Sequence, residues 1–151
     1  MYDRILLPTD ASPGVDRAVE HAIDAAKRYD AELHVLYVVD AETYGSYSGD
    51  EYVHEHEGLE HALEEAGRDA LEEIASTAAA ANVSVETATR DGIPHEEILA
   101  YVDTEDIDLV VMGSKNRPGE YRRLLGSVAE RVAHLAEGPV TVVKTPVDPE
   151  E

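Results

Sequence analysis

Two patterns of apolar residues alternate along this chain. Short continuous runs give way to stretches in which apolar side chains recur every three or four positions. Arg4-Ile5-Leu6-Leu7-Pro8 is the first run and predicts a buried strand. Ser12-Pro13 then supplies an N-cap and a proline in a first helical turn, and Val15, Ala18, Val19, Ala22, Ile23 and Ala26 follow at helical spacing. Leu33 to Val39 is a second strand. Residues 40–57 carry Tyr44, Gly45, Ser46, Tyr47, Ser48 and Gly49 without sustained periodicity and predict a loop. Leu59, Leu63, Ala66, Ala70 and Ile74 line one face of a long helix. Val83-Ser84-Val85-Glu86-Thr87 alternates as a third strand. Pro94 opens a helix that runs through Ile98 and Val102, and Asp108 to Met112 forms a fourth strand. Ser127-Val128-Ala129-Glu130 has the capping-box pattern ahead of Val132 and Leu135. Val140-Thr141-Val142-Val143 is the last strand, and Asp148-Pro149-Glu150-Glu151 an acidic tail.

Strands alternating with helices specify an α/β fold: a five-stranded parallel sheet, Rossmann-like, with helices on both faces. Right-handed crossovers leave few topologies, and the orders 2-1-3-4-5 and 3-2-1-4-5 both fit. Neither a repeat nor a linker is visible, so residues 1–147 are expected to form one domain ahead of the tail at 148–151.

Composition narrows the function classes. The chain has 151 residues, 16.5 kDa, and no cysteine, which excludes a disulfide framework, a thiolate metal site and a cysteine nucleophile. It has no Trp and no Phe, so any base-stacking platform would need its 8 Tyr. Twelve Lys and Arg face 33 Asp and Glu, a formal charge of −21 that repels nucleic-acid backbones. Apolar runs are too short to span a membrane, and no signal-peptide pattern opens the chain, so a cytoplasmic protein is expected. A charge this high is tolerated best where salt screens it: the Debye length is about 3 Å at 1 M. A salt-rich, halophilic cytoplasm is therefore the expected setting.

The exception to this acidity is local. Residues 113–131 hold five basic residues (Lys115, Arg117, Arg122, Arg123, Arg131) against Glu120 and Glu130, while the remaining 132 residues hold seven against 31 acids. A basic, glycine-bearing loop that ends at a helix start suits an anion, and phosphate above all, because free N–H groups and the helix dipole add to the charge. In the order 3-2-1-4-5 the switch point lies between strands 1 and 4, and ligands bind outside their carboxyl ends. Those ends are Pro8-Thr9-Asp10 and Met112-Gly113.

The segment from Met112-Gly113 to Ser127 resembles the phosphate loop of the universal stress protein family. ATP-binding members carry Gly, two residues, Gly, nine residues, then Gly and Ser or Thr; Gly113, Gly126 and Ser127 match, and Asn116 stands in place of the second glycine. The opening Ile5-Leu6-Leu7-Pro8-Thr9-Asp10, the segment Val35 to Asp40, Gly92-Ile93-Pro94-His95-Glu96-Glu97-Ile98 and Gly126-Ser127-Val128-Ala129-Glu130-Arg131-Val132 are also typical. The resemblance implies the order 3-2-1-4-5. It also implies ATP, with AMP or ADP as alternatives and Mg2+ as support. Adenine would lie against Pro8, Thr9, Asp10 and Val38. Ribose would sit between Asp10 and Gly113, and the phosphates along residues 113–116, with Gly113, Lys115 and Asn116, and along residues 126–129, Gly126, Ser127, Val128 and Ala129; Met112 is a further cofactor-binding candidate. It further implies a homodimer through Val140-Val143, and a regulatory role with an unspecified protein partner. Asn tolerates left-handed backbone but adds a side chain where glycine would let phosphate approach. Lys115 supplies a full positive charge.

Other readings stay open. Asp10 and Ser127 also suit simple turn and helix capping. His54, His56 and His61, with Asp50, Glu51 and Glu55, gather metal-ligating types but meet no metal spacing, and a solvated polar loop is the simpler account. His95 is expected at the surface. No nucleophile and base are arranged in the sequence, so a slow ATPase stands behind a regulatory nucleotide-binding module. A nucleotide-free scaffold and, more remotely, a flavin carrier remain as alternatives.

Overall fold

The structure, a computed structural model, describes residues 1–9, 16–40, 53–115 and 127–145. The described elements are β1 (Arg4–Thr9), α1 (Asp16–Tyr29), β2 (Glu32–Asp40), α2 (Val53–Ala80), β3 (Val85–Gly92), α3 (Pro94–Thr104), β4 (Leu109–Lys115), α4 (Ser127–Leu135) and β5 (Val140–Thr145). The five strands pair in parallel in the order β3-β2-β1-β4-β5, as the family resemblance implies.

Strand parity sorts the core into two layers. Ile5 and Leu7, Leu33, Val35, Tyr37 and Val39, Leu109 and Val111 point to the face covered by α1 and α2. Leu6, Leu36 and Val38, Val110 and Met112 point to the opposite face, where α3 and α4 supply Ile98, Tyr101, Ala129 and Val132. Burial on both faces is why β1, β2 and β4 are apolar without alternation. Ala18, Ala22, Ile23 and Ala26 of α1 are buried as their spacing predicts. Val15, Ser12 and Pro13 lie outside the described residues.

The three helices that lead into β2, β3 and β4 stop in one way. One or two residues past each end stands a residue with a left-handed backbone, Asp30 (φ 55°), Asn82 (φ 62°) and Asp106 (φ 52°). The next N–H reaches back into the last turn: Ala31 N to Ala26 O at 2.8 Å, Val83 N to Ala78 O at 2.9 Å, and Ile107 N to Val102 O at 3.0 Å. This is the Schellman geometry, with Asp or Asn where glycine is commonest. Each acid or amide is followed by an apolar residue, so the exit turn also starts the next strand. Asp108 then ties two strands together at their amino ends: its carboxylate accepts from the N–H groups of Asp3 (2.8 Å) and Arg4 (3.0 Å).

Three expectations need correction. The stretch 40–57 is not all loop, since α2 begins at Val53. That helix buries Gly67, Leu71, Ile74 and Ala78, whereas Ala66 is exposed and Ala70 half-buried, so the core face is rotated from the one predicted. The side chains of Leu59 and Leu63 lie outside the described residues. Gly67 hides the true face from a periodicity search: it packs under Tyr37, where a Cβ would come within 2.7 Å of the ring's Cγ. Finally, β3 runs from Val85 to Gly92, well beyond Thr87, because an edge strand is half solvated and shows no apolar alternation.

Candidate functional site

The sheet opens where its strand order reverses. β1 stays in register with β2 from Arg4–Glu32 to Thr9–Tyr37, and β4 with β5 from Val110–Val140 to Lys115–Thr145. Between β1 and β4 the register holds only at Ile5–Leu109 and Leu6–Val110. Beyond it Pro8, which has no N–H to donate, faces a strand that continues as Val111-Met112-Gly113. The two strands part toward their carboxyl ends, and that is the position at which open α/β sheets take ligands.

Of the predicted contact residues, those that are described stand at or near the ends of β1, β2 and β4 and in the first turn of α4. Pro8 and Thr9 end β1 and are buried, Thr9 at 8% exposure. Val38 lies near the end of β2, and Met112 and Gly113 near the end of β4, where Gly113 is half-buried. Lys115 is the last residue of β4, and Ser127 the first of α4. Val38, Met112 and Ala129 belong to the core layer under α3 and α4. Val128 is half-buried beside them. The first turn of α4 directs backbone N–H groups without helical partners toward the end of the fold at which β4 finishes. Asp10, Asn116 and Gly126 lie outside the described residues, as do Arg117, Arg122 and Arg123.

A second concave surface lies at the other end of the sheet. This groove of about 530 Å3 runs between α3 and the end of α4, lined by Leu99, Val102, Asp103, Asp106, Asp108 and Glu137 among others. Its carboxylates oppose a phosphate, so it does not compete as an anion site.

The residue pattern that sequence reasoning missed is on β2. His34 is 2% exposed on the face under α3, within a run that reads as plain strand. Its Nε2 lies 2.6 Å from Glu32 Oε1, and its Nδ1 lies 2.7 Å from the Tyr101 hydroxyl and 3.5 Å from Glu86 Oε2. Glu32 and His34 are two apart on one strand, and Glu86 is the registered partner of His34 on β3. Alternation alone would have put all three on one face. The histidines weighed instead lie at the start of α2. His61 there is exposed, 3.4 Å from Glu65 of the next turn, and the side chains of His54 and His56 lie outside the described residues.

Among the described residues no helix is long and apolar enough to cross a membrane. The universal stress protein family model matches residues 1–144. Universal stress protein MJ0531 of Methanocaldococcus jannaschii is 38% identical over 152 residues, covering 97% of this chain and 84% of that protein. The solved structure of protein MJ0577 superimposes with a TM-score of 0.81 at 31% identity, covering 98% of this chain and 99% of that one. Two more distant structures share the fold: a universal stress protein in complex with cAMP (TM-score 0.65, 24% identity, 96% and 98% covered) and one from Archaeoglobus fulgidus in complex with dAMP (TM-score 0.66, 20% identity, 95% and 98% covered). With a family match over nearly its full length, a 38% identical relative and the shared sheet order, this chain belongs to the universal stress protein family.

Proposed function

We propose that this chain binds an adenine nucleotide, ATP with Mg2+ before AMP or ADP, in the crevice between β1 and β4, and that it acts as a nucleotide-dependent regulatory module in a stress response. The observation that carries this reading is the parting of β1 from β4 after Leu6–Val110, with β4 running directly into the basic loop that ends at Gly126-Ser127. The fold is one in which cAMP and dAMP complexes occur. In this reading Pro8, Thr9, Asp10 and Val38 form the adenine side. Gly113, Lys115, Asn116 and the start of α4 form the phosphate side, and no catalytic step is needed. Mass spectrometry of protein purified in molar KCl should find a released adenine nucleotide, and titration calorimetry should show saturable ATP binding. Gly126→Val should abolish that binding by blocking backbone approach to phosphate. No heat from any adenine nucleotide would favour the scaffold reading, for which Asn116 in the glycine position is the specific argument.

The module is proposed to be a homodimer through β5. This strand lies at the sheet edge, with Val140 and Val142 half-buried and Thr141 exposed. An open edge of this kind favours pairing with a second copy, and such a contact closes at two subunits. Light scattering in molar KCl should give twice 16.5 kDa, and Val142→Pro should return the monomer. A single 16.5 kDa species for the unaltered chain would falsify the dimer.

A further inference from the structure

We propose that Glu32, His34 and Glu86 form a binding site for one divalent transition-metal cation, on the sheet face beneath α3 and at the end of the sheet away from the nucleotide crevice. One ligand atom from each of the three residues falls within 4.8 Å of the other two. The imidazole is almost fully buried, whereas the Glu32 and Glu86 side chains are 42% and 63% exposed, so the pocket has a fixed nitrogen at its base and two adjustable oxygens at a solvent mouth.

A space-filling role alone does not explain this arrangement. Neighbouring inward positions on the same face are Leu6, Leu36 and Val38, and burying an imidazole among them carries a desolvation cost that an apolar residue avoids. Two carboxylates converge on that imidazole in a molecule of formal charge −21. Among the described residues no Lys or Arg pairs with either of them. Arg90 instead lies over the Tyr101 ring, 5.5 Å from its centroid, and Arg4 donates to the Glu105 carbonyl at 2.7 Å. A dication bound between the two carboxylates offsets both negative charges.

Ligand chemistry selects the class of cation. Imidazole nitrogen suits zinc and its neighbours, while an all-oxygen set would suit Mg2+ or Ca2+. Zinc bonds of about 2.0–2.2 Å at a tetrahedral angle separate two ligand atoms by roughly 3.3 Å, so Glu32 must swing outward by roughly 0.7 Å from its present contact, and Glu86, now beside Nδ1, must swing round toward Nε2; the exposure of both side chains permits this. Tyr101 supplies the orienting contact. Without metal, the Glu32 carboxylate can only accept, so Nε2–H donates to it and the Tyr101 hydroxyl donates to Nδ1. With metal on Nε2, Nδ1 carries the proton and donates to the Tyr101 oxygen, the usual outer hydrogen bond of a metal-bound histidine. The Tyr101 bond keeps its place and reverses its direction.

The test is calorimetric titration of the full chain with ZnCl2 at neutral pH, read beside 15N NMR of the His34 ring. The expected result is one saturable site, with Nδ1 of His34 becoming protonated as Nε2 binds the metal. Glu32→Gln and Glu86→Gln should each weaken binding at least tenfold while leaving the metal-free melting temperature nearly unchanged, and His61→Ala should leave it intact. Four results would overturn the site. These are no saturable zinc binding, unchanged affinity in the Glu32→Gln/Glu86→Gln double variant, loss of binding on His61→Ala, or equal affinity for Mg2+.

Discussion

His34 and Tyr101 show how a polar pair is held inside an apolar layer: each is under 5% exposed and each satisfies the other at 2.7 Å. Tyr101→Phe removes the hydroxyl and leaves a buried ring nitrogen short of a partner, a cost of about 1–3 kcal/mol at neutral pH by urea unfolding. Burial first, and then the carboxylates of Glu105, Glu86 and Glu32, raise the Tyr101 phenol above its ordinary 10.0, against a smaller lowering by Arg90. A raised folded value means that the phenol's contribution is complete below pH 10.0 and is lost as pH climbs through the folded value. The stability gap between the chain and Tyr101→Phe should therefore narrow above pH 10, measured as denaturation midpoints at pH 7 and 11. Gly67 gives the second residue-scale expectation. At an exposed helix position Gly→Ala gains about 1 kcal/mol, but here the new methyl meets the Tyr37 ring, and Gly67→Ala should cost about 1–3 kcal/mol.

Elements were legible where burial was symmetrical. Ile5-Leu6-Leu7 and Leu109 to Met112 stand out because both faces of these strands are covered, and α1 because its alanines and Ile23 keep strict helical spacing. Pro94 marks the start of α3 through chemistry rather than periodicity. Gly92 (φ 151°) turns the chain beside Glu97, and the proline needs no N–H in the first turn. The start of α2 was not legible, since Val53-His54-Glu55-His56-Glu57 carries no apolar stripe to signal a helix. Nor was the outer half of β3, whose Glu86, Thr87, Thr89, Arg90 and Asp91 alternate in no useful way. At the candidate site the strand ends were legible from topology, while the basic loop between β4 and α4, singled out by its glycines and charge, lies outside the described residues. His34 was not legible, because a single polar residue inside an apolar run does not disturb a strand assignment. The left-handed exits carry their own test. Asp30 and Asp106 put negative charge at helix carboxyl ends, against the dipole. Asp30→Asn keeps the left-handed backbone and removes that charge. It should add about 0.3–1 kcal/mol in dilute buffer and nothing in molar KCl, by thermal unfolding in each.

For the whole molecule the same electrostatics scale up. We propose that the acidic surface suits a salt-rich environment, so the melting temperature should rise steeply with KCl to molar concentrations; a flat response would count against it. The narrow register between β1 and β4 has a mechanical meaning. β3, β2 and β1 make one plate, and β4 and β5 another, and the two are bolted at Ile5–Leu109 and Leu6–Val110. On one face α1 laps both plates, and Arg17 of α1 donates to the Lys144 carbonyl of β5 at 3.1 Å. Such a joint yields first under thermal agitation, so the amide hydrogen of Val111, which faces β1, should exchange sooner than those of Val35 and Leu36. A molecule lodged between the plates acts as a wedge that sets their tilt, and the far rim of the second plate is β5. Occupancy at the crevice would thereby be felt, as a small rotation, along the strand proposed to join two subunits.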